Sequence, residues 1–373
     1  MAPPSGRILT VNAGSSSLKL CVLDEEDRIV NSRESGSVSG STDMRDELEA
    51  ILAESGSVAA AGHRVVHGGP DFTEPTVLDP GVEEKLDGLA DLAPLHNPPA
   101  VEAMRALDAL RPGLSTVACF DTAFHTTMPA AASTYALPAE WSRRWPLRRY
   151  GFHGLSHAYA SRRAAELLGR PLGELRLVTA HLGAGASLAA VKGGRSVDTT
   201  MGFTPIDGLV MATRSGSVDP GLLLWVQRHG KFSAEEMERA LDRESGLLGL
   251  SGRSGDMREV IAAADEGDER SRLAFDVYIH RLAAAIASMA AAMGGIDALV
   301  FTGGVGENSA RVRSAAASAL AFLGIELDPR LNDEGKGDGV LSGAGTPVPG
   351  ILVQAREDLE IAAQVRAALS ADG

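Results

Sequence analysis

Three turns rich in glycine and small polar residues, each following an apolar run, constrain this chain more than any other feature. They are "ILTVNAGSSSLKL" at 8–20, "HLGAGASLAAVKGG" at 181–194 and "DALVFTGGVGENSARVR" at 297–313. Glycine lets a backbone approach a ligand closely, and successive free amides form a concavity suited to anions. Three such turns in one chain predict a polyphosphate ligand.

Strand-like runs recur as "RILTV", "LKLCVL", "STVACF", "LRLVTA", "SLAAV", "DALVFT" and "ILVQA", with helical patterns such as "PAVEAMRALDAL", "HAYASRRAAELLG", "SAEEMERALD" and "VRSAAASALAFLG" between them. That alternation predicts an α/β protein. Placing Ser17 and Leu18 over Ser187 and Leu188 superimposes strand, turn and strand, the signature of an internal duplication with a cleft between two halves. A chain of 373 residues, 44% hydrophobic, suffices for two or three domains. The loops 68–81 and 333–339 read as surface, and the domain crossing falls after "ACFDTAFHTTMP".

A net charge of −14 excludes a generic nucleic-acid binder, and the basic cluster "RRWPLRRY" at 143–150 reads as a solvated loop. Cys21 and Cys119 lie far apart in apolar runs and read as buried free thiols. The start "MAPPSGR" carries no apolar signal segment, which points to a cytoplasmic protein. "LAAAIASMAAAMGG" at 282–295 is too short to span a bilayer and predicts a buried helix with a glycine cap, so no membrane association is expected.

Seven of the nine histidines fall between 63 and 181, in glycine- or proline-punctuated segments. His63 with His67, and His153 with His157, share the i, i+4 spacing of metal ligands but lack the glutamate of a zinc helix, so hydrogen-bonded structural histidines are expected for most. Arg64 and Arg214 stand among small residues, where a guanidinium can fork onto a carboxylate or phosphate; a surface salt bridge is the bland alternative. Asp121 ends an apolar strand, where open α/β sheets place ligand groups, although a helix cap or an Asx-turn would use it equally well. Neither a dinucleotide fingerprint nor a GxxxxGK[ST] loop is present.

Together "VNAGSSSLKL", "GHRVVHGG", "LHNPP", "FDTAFHTTMP", "YGFHGLSHAY", "HLGAGAS", "DTTMGFTPIDGLVMATRSG", "GDMREV" and "FTGGVGEN" resemble the acetate kinase family, in that family's order and over nearly the whole chain. The resemblance implies a duplicated actin-like ATPase (ribonuclease H-like) α/β fold. It implies a first domain over 1–123, a second over 124–357 with the nucleotide site and a homodimer interface, and a helix over 358–373 packing back on the first. It implies reversible phosphoryl transfer from ATP to acetate, giving acetyl phosphate and ADP, with Mg²⁺ or Mn²⁺. Asn12 and Glu357 would help hold the metal; Ser15, Ser17 and Lys19 would face phosphates. Arg64 would bind the substrate carboxylate, with Val66, Leu95, Phe152 and Pro205 around its methyl group. Asp121, His153 and Arg214 would complete the catalytic centre. His181, Leu182, Gly183, Ala184, Gly185, Asp256, Met257, Arg258, Gly304, Val305, Gly306, Glu307 and Asn308 would bind ATP.

This inventory suits the chemistry. A carboxylate is ionised at neutral pH and needs no general base; it needs its repulsion from the polyphosphate neutralised by cationic groups. Asp121 then serves to orient an arginine or a metal-bound water. The chain departs from the family at Ala184, where asparagine is usual, at Ser217, where aspartate is common, at Ala100 after "HNPP", and at "REDLEIA", where "NEE" is usual but Glu357 keeps the carboxylate. The alternatives are a propionate or butyrate kinase, separated only by pocket volume, and a nucleotide-binding paralogue weakened by Ala184.

Overall fold

The computed structural model describes residues 6–14, 17–36, 41–90, 93 and 97–371. The chain forms two compact units. Unit 1 comprises residues 1–126, 152–159 and 356–373, and unit 2 comprises 127–151 and 160–355.

The sheet of unit 1 contains β1 (Arg7–Ala13), β2 (Leu18–Leu23), β3 (Ile29–Ser35), β4 (Val58–Val65), β5 (Thr76–Val77) and β6 (Ser115–Phe120), in the order β3-β2-β1-β4-β6-β5. β1, β4 and β6 run parallel; the other pairings are antiparallel. Side chains alternate across a strand, so β1 serves two cores. Leu9 and Val11 join Met44, Leu48 and Ile51 of the helix Ser41–Ser55 and Ala103 and Leu107 of the helix Asn97–Leu110. Ile8 points the other way, with Ala60, Val117 and Cys119, onto Ile361, Ala362 and Val365 of the helix Glu357–Ala371. A Cβ on Gly62 would lie 2.4 Å from Ile361 Cγ2 and 2.6 Å from Val365 Cγ2, so a glycine in β4 is what lets this last helix seat.

Unit 2 holds β7 (Arg176–Leu182), β8 (Ala186–Lys192), β9 (Arg195–Thr199), β10 (Ala298–Thr302), β11 (Ile325–Glu326), β12 (Gly339–Val340) and β13 (Val348–Leu352). Their order is β11-β13-β10-β7-β8-β9, with β12 on β13. β9-β8-β7-β10-β13 repeats β3-β2-β1-β4-β6 in order and in sense: two antiparallel pairings, then two parallel ones. The α/β class and the duplication are thus both present. The superposition expected from sequence is displaced by two residues, because the innermost hairpin pairs are Ala13↔Leu18 and Leu182↔Ala186, so Leu18 answers to Ala186 and not to Leu188.

Other expectations also shift. "VAAAGHRV" is strand β4. The loop 68–81 is not all surface, for Phe72 is buried and stacks on Phe120 with ring centroids 4.9 Å apart. Cys119 is buried, but Cys21 is half-buried, with its Sγ 3.8 Å from Asp358. The alanine-rich stretch extends to a helix of 25 residues, Glu269–Met293, capped by Gly294 at φ 72°. That length and composition suffice to cross a membrane; here the stripe of Phe275, Tyr278, Leu282, Ile286, Met289 and Met293 is buried within the protein.

Candidate active site

In unit 1, four charged or amide side chains expected at the site converge. Arg64 leaves the carboxyl-terminal end of β4 beside Asp121, the first residue past β6. Arg64 donates from Nε to both Asp121 oxygens at 3.2 Å and from Nη2 to Oδ2 at 2.5 Å, and from Nη1 to Asn12 Oδ1 at 3.1 Å. Asn12 Nδ2 donates to Glu357 Oε2 at 3.2 Å, and the same oxygen lies 3.8 Å from Arg64 Nε. Asp121 is fully buried. Burial raises its pKa above the ordinary carboxylate value, opposed by the Arg64 charge and by a hydrogen bond from the His153 backbone. Burial works against the Arg64 charge too, but Asp121 and Glu357 outweigh it and tighten the guanidinium's hold on its proton.

The backbone is shaped around this pair. His153 adopts φ 56°, and the helix Gly154–Leu168 starts at once, with Gly154 N donating to Asp121 O at 2.9 Å. A Cβ at Gly154 would stand 2.1 Å from that carbonyl oxygen, so only glycine fits. Phe152 is buried, its carbonyl accepts from His125 Nε2 at 3.0 Å, and its ring meets His67 edge-on at 5.4 Å. Val66 is buried two residues beyond Arg64. Asn97 holds the following turn from both sides, accepting from His67 N at 3.1 Å and donating to His67 O at 2.9 Å. Sequence reading assigned Asn97 no role of its own, although "LHNPP" marked its place. His63 departs from the expected hydrogen-bonded histidine: it is fully buried with both ring nitrogens unpartnered, and burial lowers its pKa to about 3. Lys19 pairs with Glu34 at 2.9 Å on an exposed edge, and Gly14 N donates to Ser17 O at 2.9 Å. Ser15 and Leu95 lie outside the described residues.

Unit 2 gathers a second set. Gly183, Ala184, Asp256, Met257, Arg258, Gly304, Val305 and Asn308 line a single cavity of about 760 Å³, walled elsewhere by Leu247, Ile261 and Tyr278. Asp256 caps the helix Met257–Asp265 by accepting from Arg258 N at 2.8 Å. Ala184 O accepts from Ala212 N at 3.1 Å, which ties the glycine turn after β7 to the segment carrying Arg214. The third glycine-rich stretch is not an open turn: Gly303, at φ 77°, starts the short helix Gly303–Asn308 directly after β10, and a Cβ there would lie 2.9 Å from Leu182 O. His181 pairs across to Thr302 in register; Gly185 falls in the turn after β7, and Gly306 and Glu307 in that helix. Arg214 Nε donates to Asp242 Oδ1 at 2.7 Å. Asp242 carried no sequence signal, because "ALDRE" reads as one turn of a solvated helix. Ser217, where aspartate is common, donates to Asp207 Oδ1 at 2.5 Å and accepts from Gly208 N at 3.1 Å, which fixes the loop that follows Pro205.

The profile of the acetokinase family matches residues 37–363. An acetate kinase from a Synechococcus species is 51% identical, with 84% of this chain and 77% of that protein covered. Among solved structures, acetate kinase from Porphyromonas gingivalis superposes with a TM-score of 0.90 at 36% identity, over 98% of this chain and all of that one. A propionate kinase from Francisella tularensis gives 0.88 at 36% identity, over 96% and 98%.

Proposed function

The chain belongs to the acetokinase family, a phosphotransferase that moves a phosphoryl group between ATP and acetate, and from that premise we propose how its residues divide the work. The observation that carries the assignment is the buried fork of Arg64 on Asp121. Asp121 spends both oxygens on one guanidinium, so it acts as the orienter of a cation and not as a base. Arg64 is the only cation in that cluster among the described residues, and its exposed remainder receives the acetate carboxylate, with Val66 and Phe152 against the methyl group.

The carboxylate oxygen attacks the γ-phosphorus in line, the bond to the ADP oxygen breaks, and acetyl phosphate leaves without any proton being moved. Three non-bridging oxygens must be neutralised as this happens. Arg214, held by Asp242, and His153 serve that role, with Ser15, Ser17 and Lys19 on the neighbouring phosphates. ATP occupies the cavity of unit 2, its base among Leu247, Ile261 and Tyr278 and its phosphates along the segments at 181–185 and 304–308. Asn12 and Glu357 each carry a hard oxygen ligand, and Asn12 Nδ2 donating to Glu357 Oε2 at 3.2 Å keeps the two side chains together, a set that fits Mg²⁺ or Mn²⁺ with water filling most positions. The ion, when bound, neutralises phosphate charge. The active form is a cytoplasmic homodimer joined through the second domain.

Trapping the acyl phosphate with hydroxylamine, in the presence of ATP, Mg²⁺ and acetate, tests the assignment. Arg64→Ala is expected to raise the KM for acetate at least tenfold while leaving the KM for ATP within about twofold. No hydroxamate from the wild-type protein would refute it. The likeness to a propionate kinase favours one second reading, that the pocket also accepts propionate. One methylene is worth about 1 to 3 kcal/mol, so acetate should lead propionate by roughly tenfold or more in kcat/KM.

A further inference from the structure

Arg313 is the largest fully buried side chain among the described residues, 1% exposed within the helix Ala310–Ala319. Arg64, Arg176 and Arg356 each fork onto a carboxylate. Arg313 makes no ion pair among the described residues, and its fork ends on neutral oxygens. Nη1 donates to Gly306 O at 2.9 Å and to Glu307 O at 2.8 Å; Nε donates to Asn332 Oδ1 at 2.8 Å and Nη2 to Asn332 O at 2.6 Å. Asn332 is itself buried and donates back to Ala310 O at 2.9 Å.

Burying a guanidinium is unfavourable, the charge of Asp333 offsets that only in part, and a leucine or methionine would fill the space at less cost. What arginine adds is a rigid fork that grips two successive carbonyls at once, which neither an apolar chain nor a lysine can do. Those carbonyls belong to the last turn of the short helix Gly303–Asn308, whose other face, through Gly304, Val305 and Asn308, lines the cavity of unit 2. The helix is also fixed at Glu307, whose Oε1 accepts from Ala355 N at 2.9 Å, and at Asn308, whose Nδ2 donates to Gly304 O at 2.8 Å.

We propose that Arg313 is a positioning residue of the nucleotide site: it sets the position of the helix Gly303–Asn308 against which ATP lies, and Asn332 holds Arg313 in place. It touches no reacting atom. The proposal rests on the reading of the unit 2 cavity as the nucleotide site, and it makes the ATP side of the reaction, not the acid side, depend on a residue buried beneath the cavity wall.

Arg313→Lys keeps the charge and loses the fork. It is expected to raise the KM for ATP by about tenfold or more, with the KM for acetate within twofold. Hydrogen exchange of the amides at 303–308 in the free enzyme should accelerate by about tenfold or more, since the helix loses two anchors. Wild-type values of either quantity would overturn the proposal, as would an equal rise in both KM values, which marks general loosening. Should Arg313→Lys fail to fold, Asn332→Ala is read in its place; an unchanged KM for ATP there overturns the proposal equally. Ala310→Trp, which fills the cavity, separates the two readings. If it leaves the KM for ATP unchanged, the nucleotide assignment falls; if it raises that KM while Arg313→Lys does not, only the role of Arg313 falls.

Discussion

Single side chains in this protein act largely through what orients them. Arg214→Ala is expected to lower kcat by about a hundredfold or more, as loss of a preorganised charge at the transferring group does. Asp242→Asn keeps Arg214 but removes its charged anchor, so a kcat loss of roughly tenfold with an unchanged melting temperature is expected from steady-state kinetics and a thermal scan. Ala184 has its carbonyl fixed by Ala212 N while its side chain borders the cavity, so asparagine enters without moving the backbone. Ala184→Asn should lower the KM for ATP by about two- to tenfold, the worth of one added hydrogen bond. His63 tests stability instead of turnover. Its folded pKa, about 3, lies below the unfolded value of 6.5, so its contribution is intact above pH 6.5 and is lost as the pH falls toward 3. Between pH 7 and pH 5 that loss is about 2 kcal/mol, and His63→Leu should remove it from the difference between urea titrations at the two pH values.

At the scale of the element, glycines decide where strands and helices can meet. Gly154→Ala drives a Cβ into the Asp121 carbonyl and is expected to cost about 1 to 3 kcal/mol in urea unfolding, with a matching fall in kcat as Asp121 shifts. Strands such as "RILTV" and "LRLVTA", buried on both faces, were legible in the sequence because bulky and β-branched apolar residues form a short run bounded by turn residues. β4 was not, although it carries Arg64. Its "VAAAGHRV" lies against the helix Glu357–Ala371, so small residues replace the bulky apolar run and the glycine looks like punctuation. The site motifs were legible for the opposite reason: they sit where strands end and the backbone must turn sharply. Asn97, Asp242 and Arg313 were not, since a residue that holds another residue leaves no local pattern.

At the scale of the whole molecule, unit 1 is assembled from three separated stretches of chain, whereas unit 2 is nearly continuous. The helix Glu357–Ala371 supplies Ile361, Ala362 and Val365 to the core beneath β1, β4 and β6, and Glu357 to the polar cluster at Arg64. A chain ending at Ala355 should therefore keep unit 2 resistant to limited proteolysis while residues 1–126 are digested, a comparison read directly from the fragment pattern. The helix that closes unit 1 is made only after residues 127–355. Residues 127–355 separate the first stretch of unit 1 from that helix, so at 5–20 residues per second the ribosome takes roughly 10–45 s to cross the gap. Throughout that interval the face of β4 at Gly62 lacks the Ile361 and Val365 side chains that cover it in the folded unit, and the polar cluster at Arg64 lacks Glu357.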